Sequence, residues 1–215
     1  MVRKTAIRWV WFVLTLLLLV SSSSAQTLKI SVFNDAKVAP GMLASAEASA
    51  SRVFHQAGLE TEWVDCPASP SGTSGNTRCT AAVFPKHLQV RILPRSRTLN
   101  SSTLGTSFLG VDETGCYSDV FFEPIASLSM NSGESVGVAL GHVMAHEIAH
   151  LLLGSSSHAS AGIMQGQWRG RELLAASRGR LLFTREESRT MRAKLHAPRP
   201  REVKGSMGSV ASVGR

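Results

Sequence analysis

The spacing of hydrophobic and polar positions predicts strands in the first half of the chain. From Leu28 to Phe33 apolar and polar residues alternate, which is the two-residue period of a half-buried strand. Apolar β-branched residues between turn-forming residues predict further strands. The predicted strands are Leu28–Phe33, Leu59–Asp65, His87–Leu93, Ser107–Val111 and Ser118–Glu123, with a loop over Arg95–Thr106. No internal repeat is present.

Helical spacing of apolar residues predicts two long helices and a shorter C-terminal one. The first helix covers Met42–Gln56 and stops at Gly58, because glycine is a favourable residue just after a helix end. The second is a very apolar helix over about 135–153, which Gly154 terminates. Thr184 with Glu187 three residues later forms a capping-box signature and opens a helix over about 185–196. A short apolar segment also occurs near Leu173–Ala176. Strands and helices together predict an α+β fold.

The first 25 residues have the features of a secretory signal peptide. Arg3, Lys4 and Arg8 precede the stretch Trp9–Val20, in which only Thr15 is polar, and small residues follow up to Ala25. A 12-residue stretch spans roughly 18 Å as a helix, which is short for a bilayer core of about 30 Å. We therefore expect cleavage before Gln26, a secreted or periplasmic protein and no stable membrane insertion afterwards. The alternative is an uncleaved N-terminal anchor.

The remaining chain has the length of one domain. We expect this domain to cover residues 26–197, followed by a disordered tail over 198–215 that is rich in Pro, Gly, Ser and Arg. The composition, 43% hydrophobic and 18% charged, excludes a disordered, collagen-like or polytopic membrane protein. We expect a monomer.

The positive charge is concentrated at the C-terminal end of the chain. The formal net charge is +8, and residues 165–215 contain 12 Lys and Arg against 4 Asp and Glu. The chain has one Tyr, and its aromatic residues do not alternate with these arginines, since only Phe183 lies among them, so stacking on nucleic-acid bases is not supported. We interpret the basic end as a solvated helix with a frayed tail and expect no nucleic-acid partner.

The three cysteines indicate one disulfide bond. Cys66 and Cys79 enclose a segment of Pro, Ser, Gly and Thr without apolar periodicity, and a disulfide would close it. Loop entropy would make such a bond worth on the order of 3 kcal/mol. Cys116 is then unpaired and is either a buried thiol or a thiol near the functional site; the first is favoured.

The candidate chemistry is concentrated in His146-Glu147-Ile148-Ala149-His150. Residues at i and i+4 leave the same face of a helix about one turn apart, so two neutral imidazoles can bind a single Zn²⁺. Glu147 lies beside that face, where its carboxylate can take a proton from a water that the metal activates. The motif therefore predicts a zinc hydrolase with His146 and His150 as ligands and Glu147 as general base.

The residues that follow extend the motif. Gly154, His158 and the turn Gly162-Ile163-Met164 occur in that order after His150. This order resembles the metzincin-type zinc metalloproteases, in which H-E-x-x-H is followed by a glycine turn, a third histidine ligand and a methionine turn. The usual spacing is H-E-x-x-H-x-x-G-x-x-H, and here each gap has one extra residue. The sequence is similar to a divergent, secreted bacterial branch of that class.

The resemblance implies a zincin-like fold and a set of roles. It implies a small mixed twisted sheet packed on two long helices, with a small C-terminal subdomain after the glycine turn. It also implies His158 as the third ligand of one catalytic Zn²⁺, with Met164 in a supporting turn at 162–164. By the same analogy Asp119–Glu123 would be the sheet edge on which a peptide lies as an added strand, the alternative being an interior strand.

Three other residues compete for roles near the motif. His142 lies one turn before His146 and is either a ligand or, as we favour, a packed or water-bonded side chain. Glu172 is the ligand expected if a downstream helix supplied a carboxylate instead of His158. Trp168 is expected to cover the core rather than to touch substrate.

Two function classes follow from these residues. The first is a secreted zinc endopeptidase that acts on a peptide or protein substrate. The second is a non-catalytic envelope protein that uses a zincin scaffold for binding. An intact Glu147 favours the enzyme, because a binding module has no need of that carboxylate.

Overall fold

In the part of the chain that the structure describes, five strands form one mixed sheet, and five helices accompany it. The computed structural model describes residues 27–67, 79 and 82–197. The strands are β1 (Thr27–Asn34), β2 (Glu60–Cys66), β3 (His87–Leu93), β4 (Gly105–Phe108) and β5 (Tyr117–Phe121). The helices are α1 (Pro40–Gln56), α2 (Phe122–Ser132), α3 (Val136–Leu153), α4 (Gly170–Ser177) and α5 (Arg185–His196). The expected signal peptide, the tail over 198–215 and most of the segment between Cys66 and Cys79 lie outside the described residues.

The sheet has the strand order β2-β1-β3-β5-β4. Its first four strands are parallel, and β4 is antiparallel to β5. Alternate residues of β1 (Leu28, Ile30 and Val32) are buried in the core, as the two-residue period predicts. The predicted α+β class and the mixed sheet beside two long helices are confirmed.

The long helix α3 forms the centre of the domain and carries most of the predicted chemistry. Ser135 caps its first turn by accepting a hydrogen bond from the backbone N–H of Val138. Gly154 ends the helix with φ +66°, and a Cβ atom there would lie 2.6 Å from the carbonyl oxygen of Glu113. Gly154 is therefore required for two reasons, because its φ is positive and because a side chain would collide with Glu113.

Helices α1 and α3 pack unusually closely, because two glycines of α3 face α1. A Cβ atom added to Gly141 would lie 2.2 Å from the carbonyl oxygen of Ala46, and one added to Gly137 would lie 2.9 Å from Oγ of Ser45. Small residues let two helix backbones approach, so the spacing of the helices depends on these two positions. The close packing in turn fixes α3, and with it the histidine motif, against the rest of the core.

Replacing Gly141 by Ala should therefore destabilise the protein, although Ala is the better helix former. Overpacking of this kind costs about 1–3 kcal/mol. The matched control is Gly41→Ala on α1, where no atom lies within 4 Å of the added Cβ. That change should be neutral or stabilise by up to about 1 kcal/mol. Urea unfolding of both variants measures the difference; a Gly141→Ala protein as stable as the parent would contradict the close packing.

The sequence pattern did not indicate helix α2. Its segment contains Pro124 and several serines, which are weak helix formers, so helical spacing of apolar residues is hard to recognise there. Pro124 lies in the first turn, where a missing N–H costs no helical hydrogen bond, and Gly133 ends the helix with φ +70°. The predicted strand Ser118–Glu123 accordingly stops at Phe121, and α2 begins at the next residue, Phe122.

The expected position of the sheet edge was wrong. Asp119–Glu123 was the expected edge, but β5 lies between β3 and β4 and is therefore an interior strand. The two edges are β2 and β4, and the edge that lies beside Glu147 is β4, which begins at Gly105 in the segment predicted as a loop. β4 has only four residues, and two of them, Gly105 and Ser107, are neither β-branched nor aromatic. The alternation is therefore too short to be recognised as a strand.

The predicted disulfide bond is present. Cys66, the last residue of β2, is bonded to Cys79, and their Cα atoms are 5.9 Å apart. Cys116 has a free, half-buried thiol, and burial raises its pKa. It packs against the core and is not part of the histidine cluster, which agrees with the favoured alternative.

Candidate metal centre

The motif histidines leave α3 on one face and meet each other. His146 and His150 are both buried, and their Nε2 atoms are 3.0 Å apart. The i, i+4 spacing produces this pairing, as the sequence predicts. Two nitrogens bound to one zinc at tetrahedral angles would be about 3.3 Å apart, given Zn–N distances near 2.0–2.1 Å.

Backbone carbonyl groups hold both rings in place. Nδ1 of His146 lies 2.7 Å from the carbonyl oxygen of Ile163, and Nδ1 of His150 lies 2.6 Å from that of Ser155. An Nδ1–H that donates to a carbonyl leaves the Nε2 lone pair free to bind a metal. Burial lowers the pKa of His146 to about 4 and also lowers that of His150, so both rings are neutral at pH 7.

The chain returns to these two rings at His158. After Gly154 a short loop brings the exposed His158 ring to centroid distances of 5.4 Å from His146 and 4.9 Å from His150. One nitrogen of each ring lies within 4.8 Å of the others. The backbone of Gly166 passes against the His158 ring, where a Cβ atom would lie 2.9 Å from Cγ. The extra residue in each gap of the motif therefore does not prevent the three imidazoles from converging.

Three converging imidazoles with free lone pairs suit Zn²⁺. Zinc binds neutral imidazole in tetrahedral sites, and three protein ligands leave the fourth position open for water or substrate. Within the described residues this is the one group of three or more His, Cys, Asp or Glu side chains that can hold a metal ion. His146, His150 and His158 can therefore bind one zinc ion.

The turn at 162–164 connects this cluster to the core. Gly162 has φ +79°, and the next residue, Ile163, supplies the carbonyl group that orients His146. Met164 is buried in the core, and its carbonyl oxygen accepts a hydrogen bond from the backbone N–H of Ala159 in the His158 loop. The turn thus contacts His146 through Ile163 and the His158 loop through Met164.

Glu147 is buried between α3 and the edge strand. The residue is 5% exposed, and burial raises the pKa of its carboxyl group to about 7 despite a hydrogen bond from Ser107 that acts in the opposite direction. Oγ of Ser107 lies 2.7 Å from Oε2 and 2.8 Å from the main-chain oxygen of Glu147. A carboxylate with a pKa near neutrality can exchange protons in both directions at physiological pH.

An open cleft of about 660 Å³ leads to this site. The residues that line the cleft include Leu104, Gly105, Leu128 of α2, His146, Glu147 and His158. Trp168 also lines the cleft and packs edge-on against His146 at a centroid distance of 5.8 Å. The expectation that Trp168 only covers the core was therefore incomplete, because the ring contacts both the core and the cleft.

The competing ligand candidates lie elsewhere. Nδ1 of His142 is 2.9 Å from the carbonyl oxygen of Val138 and 3.3 Å from Oγ of Ser49, so its ring packs between α1 and α3. Oε2 of Glu172 accepts a hydrogen bond of 2.8 Å from the backbone N–H of Arg169 and serves in the cap of α4. Neither residue belongs to the histidine cluster.

Sequence reasoning missed the residues that contact the site from other segments. These are Gly105 and Ser107 of β4, which contact Glu147, and Gly166, which contacts His158. None forms a local pattern with the H-E-x-x-H residues, because each reaches the site only through the fold.

Within the described residues the fold has one candidate metal centre, formed by the three histidines beside the central helix. Among the solved structures that share the fold are a zinc-dependent peptidase and an archaemetzincin. The zinc-dependent peptidase from Methanocorpusculum labreanum is 14% identical, with a TM-score of 0.51 over 75% of this chain and 99% of that one. The archaemetzincin from Methanopyrus kandleri is 14% identical, with a TM-score of 0.54 over 81% of this chain and 98% of that one. No family model and no curated protein matches the sequence.

Proposed function

We propose that this protein is a zinc-dependent endopeptidase. The observation that carries the proposal is the position of Glu147, a buried carboxylate directly beside three converging imidazoles at an open cleft. Two of the proteins that share the fold are described as a zinc-dependent peptidase and an archaemetzincin, which supports the same class. His146, His150 and His158 would hold the ion, and Glu147 would act as the general base.

The chain's own groups would divide the reaction between them. When bound, zinc would supply Lewis-acid polarisation of the scissile carbonyl and lower the pKa of the attacking water. Glu147 would accept a proton from that water and deliver it to the nitrogen of the leaving amine. The carbonyl groups of Ile163 and Ser155 would keep the rings of His146 and His150 in place during the reaction.

The peptide would bind along strand β4. In the sheet order β4 has a neighbouring strand on one side only, and its first residue, Gly105, lines the cleft beside Glu147. An extended peptide that adds to this edge would be held by main-chain hydrogen bonds with its scissile bond near the histidines. We therefore assign the peptide-binding edge to Gly105–Phe108 and not to Asp119–Glu123, which the sequence analysis expected.

The non-catalytic alternative has no specific observation in its favour. A scaffold that only bound zinc or peptide would need the three histidines but not Glu147. The carboxylate is nevertheless buried and accepts a hydrogen bond from the hydroxyl group of Ser107. Burial of a carboxylate costs free energy, and an inactive protein could avoid that cost by replacing Glu147 with an apolar residue.

The proposed location is secreted or periplasmic, after removal of residues 1–25. A disulfide bond between Cys66 and Cys79 is consistent with an extracytoplasmic location. Within the described residues one helix, α3, is long and apolar enough to cross a membrane, but 83% of it is buried in the domain. We therefore assign α3 to the core. A single domain over residues 26–197, a monomeric state and the absence of a nucleic-acid partner complete the proposal.

Purified protein should contain about one zinc ion per chain and hydrolyse an unfolded protein such as casein. A chelator should abolish the hydrolysis, and Zn²⁺ should restore it where Mg²⁺ and Ca²⁺ do not, because imidazole ligands favour zinc. Elemental analysis and release of peptides from casein measure both quantities. Zinc-loaded protein that cleaves neither casein nor a mixed peptide library would support the non-catalytic alternative instead.

A further inference from the structure

Two residues of the edge strand contact the carboxylate of Glu147 from the same side. Oγ of Ser107 donates a hydrogen bond to Oε2 at 2.7 Å. A Cβ atom added to Gly105 would lie 2.5 Å from Oε1 and 2.6 Å from Cγ of the same side chain. Positions 105 and 107 share one face of β4, since alternate residues of a strand point the same way. The strand thus offers a hydroxyl group to one carboxylate oxygen, and the other oxygen occupies the place that a side chain at position 105 would fill.

From this geometry we infer that Ser107 and Gly105 are positioning residues for the general base. Oγ of Ser107 is hydrogen-bonded to Oε2 of Glu147 and is also 2.8 Å from the main-chain oxygen of the same residue. These two contacts fix the position of the carboxylate relative to helix α3, which carries it. Gly105 leaves room for Oε1, which remains available to the attacking water. The inference rests on the proposed function, because Glu147 must be the base for its position to matter.

The arrangement also links substrate binding to catalysis. The peptide is proposed to add to β4, and β4 is the element that holds the carboxylate in place. Correct placement of a reacting group within about 1 Å can change a rate by about 100-fold. Ser107 should therefore affect kcat much more than KM, whereas a residue that only shaped the peptide-binding edge would affect KM.

The first test uses Ser107→Ala with Thr61→Val as the matched control. Thr61 lies on β2, at the opposite edge of the sheet, and its hydroxyl oxygen is 2.9 Å from Oγ of Ser51. We expect Ser107→Ala to retain its zinc and to lose about 10- to 100-fold in kcat with KM unchanged within about 2-fold. Thr61→Val should match the parent in kcat, and Ser107→Thr, which keeps the hydroxyl group, should recover to within about 3-fold of it.

A second variant tests the space beside Oε1. Gly105→Ala should lower kcat at least as much as Ser107→Ala, since the new Cβ would displace the carboxylate. Unchanged kcat in either variant would overturn the inference for that residue. A rise in KM with unchanged kcat would also overturn it, because the role would then be in peptide binding.

A double-mutant cycle on the metal-free protein tests the contact without any activity. Ser107→Ala should shift the urea midpoint in the parent but have little effect in a Glu147→Ala background, where the partner carboxylate is missing. The same cycle with Thr61→Val should show no coupling, because the hydroxyl group of Thr61 contacts Ser51 instead. Additive effects of Ser107→Ala and Glu147→Ala would overturn the contact. If the parent hydrolyses no peptide, the proposed function fails, whereas this cycle still reports on the contact.

Discussion

Replacing Glu147 by Gln is expected to leave zinc bound and to reduce kcat for peptide hydrolysis by about 10²- to 10⁴-fold. Gln has nearly the same shape, and its amide oxygen can still accept the hydrogen bond from Ser107. It cannot accept a proton from water at neutral pH. Zinc should remain because Glu147 is not part of the histidine cluster. Elemental analysis and cleavage of a fluorogenic peptide measure the two effects on the same sample.

The matched control is Glu172→Gln. Glu172 is also a buried glutamate, but it caps helix α4, and Gln can fill the same position in a capping box. Its zinc content and kcat should stay close to those of the parent. If Glu147→Gln cleaved peptides as fast as the parent, Glu147 would not be the general base. If it lost zinc, the carboxylate would have to be a ligand.

The parts of the fold that could be predicted from sequence are those with a strong local period. β3 runs over His87–Leu93 as predicted, and the predicted end of α3 coincides with Gly154. Both have local causes, since alternation defines a strand and a glycine with positive φ ends a helix. The pairing of His146 with His150 is local in the same sense, because helix geometry alone brings residues four apart together.

The parts that could not be predicted depend on contacts between distant segments. The edge position of β4 follows from the sheet order, which no short window of sequence contains. Ser107 and Glu147 are 40 residues apart, and their contact requires β4 to lie against α3. Helix α2 is a different case: its serines and Pro124 give a weak helical signal, and its packing against neighbouring elements overrides that propensity.

The third candidate zinc ligand could be predicted only in part from the sequence. The sequence offered both His158 and Glu172, and the non-standard spacing left the choice to a resemblance. The fold brings His158 to the other two rings and uses Glu172 to cap α4. A short loop after Gly154 is sufficient, because the helix ends beside the cluster and the chain reverses there.

We expect His158→Ala to lower zinc affinity by more than about 100-fold and to abolish peptide hydrolysis. Loss of residues that merely orient a ligand already costs about 10- to 100-fold in metal affinity, and loss of a ligand should cost more. The fold should survive, because His158 is exposed, whereas His146 and His150 are buried in the core helix. Competition with a chelator of known zinc affinity measures the change, and urea unfolding of the metal-free protein checks the fold.

Glu172→Ala and His142→Ala separate the alternatives. Removing Glu172 should weaken the cap of α4 but leave zinc affinity within about 2-fold of the parent, because ligand removal alone should cost far more. Removing His142 should destabilise the contact between α1 and α3, since its ring is buried there, and likewise leave zinc affinity unchanged. Zinc loss in Glu172→Ala but not in His158→Ala would mean that a downstream carboxylate completes the site. Zinc loss only in His142→Ala would place the ion one helical turn earlier on α3, away from Glu147, and the proposed mechanism could not operate there.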